Sequence, residues 1–221
     1  MRSRLRGFSQ AAWGLLKGGM ARSRESSGAP DRESLIKIFS YYRDAEVRGA
    51  GLLMKMMGRV KDPEAQVLFT RHIADETRHA WLWTKRIKDE GGLPVVVPDG
   101  YQRRLGKALG VPASVLDLFA LTVVVEERAQ KRYHEHARSP VCDEKTHKVL
   151  QAVTTDERWH IAWMEEYLAN LARQQGDQER VRETFERYRH AEEHVFSEMQ
   201  AIEREWIGFS FSDLPPRAPL N

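Results

Sequence analysis

Two stretches of this chain, ADETRHA at residues 74–80 and TDERWHI at residues 155–161, set a Glu and a His three apart inside runs whose apolar residues otherwise recur at helical spacing. Nothing else constrains the fold as much. A carboxylate taken out of water without a partner is far costlier than burying a leucine is favourable. The helices that carry these groups must therefore meet where compensating chemistry exists.

The apolar period predicts an all-α protein. A first helix runs from about Arg32 to Val60, with Leu35, Phe39, Tyr42, Glu46, Gly49, Leu53 and Met56 along one seam. Pro63 suits the first turn of a second helix, which turns Phe69, His72, Glu76, His79, Trp83 and Ile87 inward and stops near Gly91-Gly92. GGLPVVVPDG at residues 91–100 then reads as a long crossover, followed by a short helix over residues 101–109. Pro112 and Ser114 open a third long helix, with Val115, Phe119, Thr122, Glu126, Ala129 and Tyr133 on one face. The fourth presents Leu150, Val153, Glu157, His160, Met164 and Leu171. A crossover of this length lets the second and third long helices run parallel. A fifth segment from about Asp177 to Trp206 aligns Val181, Phe185, Tyr188, Val195, Met199, Ile202 and Trp206, as an outer helix or an oligomer contact would.

All four seams contain a carboxylate, and no Arg or Lys occupies a seam position. Salt bridging thus lacks its partners, and a multivalent cation is the better account. Glu76 with His79, and Glu157 with His160, each point one way from a single helix and can grip one ion. Glu46 and Glu126 supply the contributions of the other two helices. One Glu from each of two helices plus Glu-x-x-His from each of the other two is an arrangement known to hold two iron or manganese ions. A third Glu-x-x-His, Glu144 with His147, fails on phase: at about 100° per residue Glu144 lies some 140° around the helix from Glu157. Glu126 and its neighbour Glu127 compete for one role. Small-then-large residues follow Glu46 (Gly49, Leu53) and Glu126 (Ala129, Tyr133) alike, which favours Glu126.

Four fragments, DAEVRGA, ADETRHA, VEERAQKRY and TDERWHIAW, stand in the order and spacing found in the ferritin-like superfamily of di-iron carboxylate proteins, which residues 31–172 resemble. TVVVEERAQKRY is similar to the third-helix motif of demethoxyubiquinone hydroxylases, and the ligand set is similar to that of aldehyde-deformylating oxygenases and bacterioferritins. The resemblance implies a ferritin-like four-helix bundle with the crossover between helices 2 and 3 and additional N- and C-terminal helices. It implies two iron ions as cofactor, Fe/Fe ahead of Mn/Fe or Mn/Mn. The activity expected is O₂-dependent oxidation of an organic, apolar or carrier-bound substrate, with electrons from an external donor. The other reading is iron oxidation and storage, or peroxide removal, as in ferritins and rubrerythrins. No Cys-x-x-Cys supplies a rubredoxin-type iron site.

Other residues carry smaller expectations. Asp75 and Asp156, each preceding a ligand Glu, are placed to accept the outer N–H of the histidines across the bundle. His72 stands one turn before Glu76 and reads either as an extra ligand or as a satisfied core histidine. Tyr42, Tyr133, Trp81, Trp83, Trp159 and Trp163 read as core filling. His190, Glu192 and His194 read as a solvated charged face.

The single cysteine, Cys142, fits a reducing compartment such as the cytoplasm. A formal charge of +3 is mild, and its excess is local: Arg2, Arg4, Arg6, Lys17, Arg22 and Arg24 all precede the first acid, Glu25. Interleaved charges elsewhere argue against nucleic acid. Residues 1–30 form a cationic segment in which Leu5, Phe8, Ala12 and Leu15 recur at helical spacing, suited to an anionic membrane surface or to docking on its own domain. Residues 173–221 hold the outer helix and a loose tail, and a homodimer is a further expectation.

Overall fold

The computed structural model describes residues 30–214, so the cationic segment before Glu25 and the end of the tail lie outside the described residues. The described residues are all-helical: α1 (Arg32–Met56), α2 (Pro63–Asp89), α3 (Tyr101–Leu109), α4 (Val115–Arg138), α5 (Glu144–Gln175) and α6 (Gln178–Ile207). Each long helix of the bundle starts where the sequence offers a cap. Asp31, Asp62 and Asp143 accept from the backbone N–H three residues on, and Ser114 forms a reciprocal capping box with Asp117. Gly176 and Gly208 end α5 and α6 in the left-handed conformation, at φ 68° and 100°. α1 stops four residues short of the expected Val60, tightening into a 3₁₀ turn at Met57–Arg59. The residue before Pro63 is barred from helical geometry, and the chain needs that turn to reverse direction.

Cross-helix pairs fix the directions. Phe69 meets Trp163, His72 stacks on His160, His79 reaches Asp156 and Arg86 reaches Asp143, so α2 and α5 are antiparallel. Phe119 packs on Tyr167 across the α4–α5 hairpin, which makes α4 parallel to α2, as the long crossover requires. α1 runs against α4, with Tyr42 opposite His136 and Glu46 opposite Tyr133.

The apolar interior is divided into two layers. One gathers Phe39, Tyr42, Trp83, Ile87, Leu150 and Val153. The other gathers Leu53, Phe69, Phe119, Trp163 and Met164. Between them lies a band of buried ionisable side chains. α6 lies outside the four-helix bundle, on α4 and α3, and is held there by ion pairs at 2.7 Å: Arg128 to Glu192 and Arg132 to Glu203. Arg132 is almost wholly buried, so its charge depends on Glu203. No helix among the described residues is long and apolar enough to cross a membrane.

Candidate metal centre

Glu46, Glu76, His79, Glu126, Glu157 and His160, contributed by four different helices, converge in the polar band, and none is more than 6% exposed. Helical spacing brings each Glu-x-x-His pair to one face, and the antiparallel α2 and α5 turn those faces toward each other. Their donor atoms fall into two groups whose members lie within 4.8 Å of one another: Glu46, Glu76, His79 and Glu157, and His72, Glu76, Glu126 and His160. Glu76 belongs to both.

His79 and His160 each face an aspartate on the outer side. His79 sets Nε2 3.1 Å from Asp156 and turns Nδ1 inward, 3.2 Å from Glu157 and 3.5 Å from Glu46. His160 repeats this, with Nε2 3.5 Å from Asp75 and Nδ1 2.9 Å from Glu157. Asp156 pairs with the outer nitrogen of His79 as expected, whereas Asp75 faces His160 Nε2 without a hydrogen bond, and Arg78 bridges the two carboxylates. Tyr133 donates its O–H to Glu46 at 2.6 Å.

His72 is wholly buried and stacks on His160 with ring centroids 3.6 Å apart. Its Nε2 lies 3.4 Å from both Glu76 and Glu126, while Nδ1 has no hydrogen-bond partner. That is not a satisfied core histidine. The position corresponding to it on α5 is Val153, so the two halves of the site differ.

The electrostatics explain what such a cluster can hold. Burial, then the neighbouring Glu126, Glu46 and Glu157, push the Glu76 carboxyl well above the usual range. Burial and Glu157 push Glu126 up to about 8, against the opposing hydrogen bond from His72. Burial also raises Glu157. Burial works against a proton on His79, but the carboxylates of Glu157 and Glu46 beside it outweigh that and raise the imidazole to about 11. Burial lowers His72 to about 4, and lowers His160 as well. Without a further counter-charge, burial and mutual repulsion drive these carboxyls to take up protons, which bound cations would displace. Glu76 Oε1 and His79 Nδ1 are both buried without a hydrogen bond and face into the cluster. Two divalent cations fit this donor set of carboxylates and imidazoles in charge and in ligand type.

The competing residues separate cleanly. Glu127 is turned to the surface and pairs with Arg189 of α6 at 2.8 Å, while Glu126 points inward. Glu144 is exposed beside Lys148, on the outer face. Two expectations are corrected. Trp81 is 56% exposed and fills no core, because it stands two residues from both His79 and Trp83, on the opposite face of the helix. Glu192 is not on a solvated face: it is buried, accepting from Tyr101 at 2.9 Å and from Arg128, while His194 beside it stays exposed. The signal was available, since Glu192 falls on the Tyr188–Val195–Met199 seam and Arg128 stands on the facing helix. His136, hydrogen-bonded to Tyr42 at 3.2 Å and stacked on Phe211, carried no signal in its own segment.

A cavity of about 400 Å³ opens onto the cluster between α1 and α4, whose backbones barely approach each other, and α3 covers it. Glu46, Glu76 and Glu126 form its inner end.

A family model described as "Ferritin: Ferritin-like domain" matches residues 50–174, more than half of the chain and all the cluster residues except Glu46, four positions before it. No curated protein and no solved structure matches.

Proposed function

The chain belongs to the ferritin-like domain family, and on that premise we propose that it is an O₂-activating di-iron oxidase or oxygenase acting on an organic molecule, apolar or carrier-bound. The observation that carries this reading is the cavity of about 400 Å³, which leads from the surface to three of the four buried glutamates. Its size falls within the range of about 300–1,000 Å³ usual for small-molecule sites. Delivering an inorganic ion would not call for an apolar chamber roofed by a separate helix.

Glu46, Glu76, Glu126 and Glu157, with His79 and His160, would hold the two metal ions, and His72 would complete one half. Bound iron supplies the exchange of electrons with O₂, and Mn/Fe or Mn/Mn pairs suit the same ligands. The chain's own residues do the rest. Asp156 holds the His79 imidazole so that Nδ1 faces inward, and Asp75 supplies a negative charge 3.5 Å from the outer nitrogen of His160. Tyr133 fixes Glu46 and keeps a proton available at its Oη, burial followed by Glu46 and Glu157 holding that phenol well above its ordinary range. The apolar walls orient the substrate and keep water from the reacting atoms. Electrons come from a separate donor protein.

The test is oxygen uptake. Protein carrying two Fe(II) per chain should consume a limited amount of O₂, stop, and resume only with a reductant and an organic substrate. Continuous oxidation of many equivalents of Fe(II), retained as a mineral inside a large closed oligomer, would replace this reading with iron storage. A strong preference for peroxide over O₂ would replace it with peroxide removal.

A further inference from the structure

We propose that the cavity between α1, α3 and α4 takes an elongated apolar molecule bearing a single anionic end group, its apolar end directed at Glu76 and its anionic end held at the mouth. The proposal rests on reading this cavity as the place of the substrate.

Charge sorts the lining into two ends. Leu52, Leu53, Leu105, Leu121 and Val125 form the walls. Among the described residues, the carboxylates lining the cavity are Glu46, Glu76 and Glu126 at the inner end, whereas five cationic side chains line it elsewhere. Arg128 and Arg132 are already neutralised by Glu192 and Glu203, and Arg48 by Asp44. That leaves Lys55 on α1 and Arg103 on the covering helix α3, both exposed. Among the described residues no ion pair is formed by Lys55. Arg103 lies 3.9 Å from Asp99, an aspartate already held at 2.9 Å by both Arg104 and Lys107. Two cations without a full counter-charge beside an apolar chamber fit a carboxylate, phosphate or sulfonate on an aliphatic tail. The opposite orientation would bring an anion against three buried glutamates.

Two glycines point to the same chamber. Gly51 in α1 and Gly106 in α3 both line it, and an added Cβ would meet nothing within 4 Å at either. A glycine inside a helix costs about 0.5–1 kcal/mol relative to Ala, and here packing does not require it. Gly49, two residues from Gly51, differs in that Glu76 occupies the space beside it. What Gly51 and Gly106 preserve is open space within the cavity.

Calorimetric titration of the full-length protein with dodecanoate, dodecanol and dodecyltrimethylammonium tests the proposal. Dodecanoate should bind one per chain, at least about tenfold more tightly than the alcohol, a difference of one decade in Kd; the ammonium compound should not bind. Reversing the mouth charges with Lys55→Glu and Arg103→Glu together should weaken dodecanoate by at least about tenfold and leave dodecanol unchanged. Gly51→Leu should remove binding of both, with the helical circular dichroism retained. The proposal is overturned if dodecanoate binds the charge-reversed protein as well as the native one, which includes the case of a carboxylate turned inward onto the metal ligands. It is equally overturned if Gly51→Leu leaves binding intact. Binding at equilibrium needs no turnover, so failure of the O₂ reading and failure of this one give different results.

Discussion

Glu76 occupies the space that a side chain at Gly49 would fill: a Cβ built on Gly49 would collide with Glu76 Oε2. The glycine of one helix thus sets the position of the carboxylate common to both donor groups. Gly49→Ala removes helical glycine, a gain of up to about 1 kcal/mol, but displaces that carboxylate. The expected outcome is loss of at least one metal ion per chain, read by elemental analysis, with the melting temperature of chelator-treated protein unchanged or raised. Two ions retained per chain would show that Gly49 does not set the position of the Glu76 carboxylate.

Asp156 and Asp75 differ in reach, at 3.1 Å and 3.5 Å from their histidines. Groups that orient a metal-bound imidazole are worth about 10–100-fold in metal affinity. Asp156→Ala should therefore weaken metal binding within that range, and Asp75→Ala by less. Competition with a chromophoric chelator measures both. Equal affinity in native protein and Asp156→Ala would remove the orienting role.

Glu126 and Glu127 are adjacent but face opposite environments. Glu126→Gln should lose metal. Glu127→Gln should keep it and cost under about 1 kcal/mol, as expected for a surface pair such as the one with Arg189. Metal content and denaturant midpoints of the two variants decide it, and the reverse pattern would require a different register for α4.

Burial holds His136 down to about 3, far below its ordinary value of 6.5. Below pH 6.5 the unfolded chain takes up a proton that the folded chain refuses. The contribution of His136 is therefore complete above 6.5 and falls as the pH drops toward 3, by at most about 1.4 kcal/mol per unit. His136→Phe should flatten the loss of stability between pH 6.5 and 4, while costing about 1–3 kcal/mol at every pH through the unpartnered Tyr42 hydroxyl. Urea midpoints across that range give the slope, and parallel curves for the two proteins would sink the assignment.

Local physics accounts for what could be read in advance. Apolar period, the openings at Pro63 and Ser114 and the breaker at Gly91-Gly92 are properties of neighbouring residues, so the helices and several of their ends were legible. So was the convergence of Glu46, Glu76, His79, Glu126, Glu157 and His160, because a carboxylate in a buried seam has few solutions and helical phase rejects Glu144. Glu192 was misread for want of its partner: whether a charge on a seam is solvated or paired depends on what the facing helix presents, here Arg128 and Tyr101.

The amino-acid sequence by itself determined the all-α class, the four ionisable seams and the identity of the six residues that meet, since these follow from periodicity along single helices. Only the tertiary structure decided that His72 turns its Nε2 to Glu76 and Glu126, that Tyr133 crosses to Glu46, and that α1 and α4 stand apart with α3 over the gap. Those are relations between residues distant in the chain. Helix periodicity says which face is buried, whereas the spacing between two faces is set by the side chains that meet there and by what roofs them.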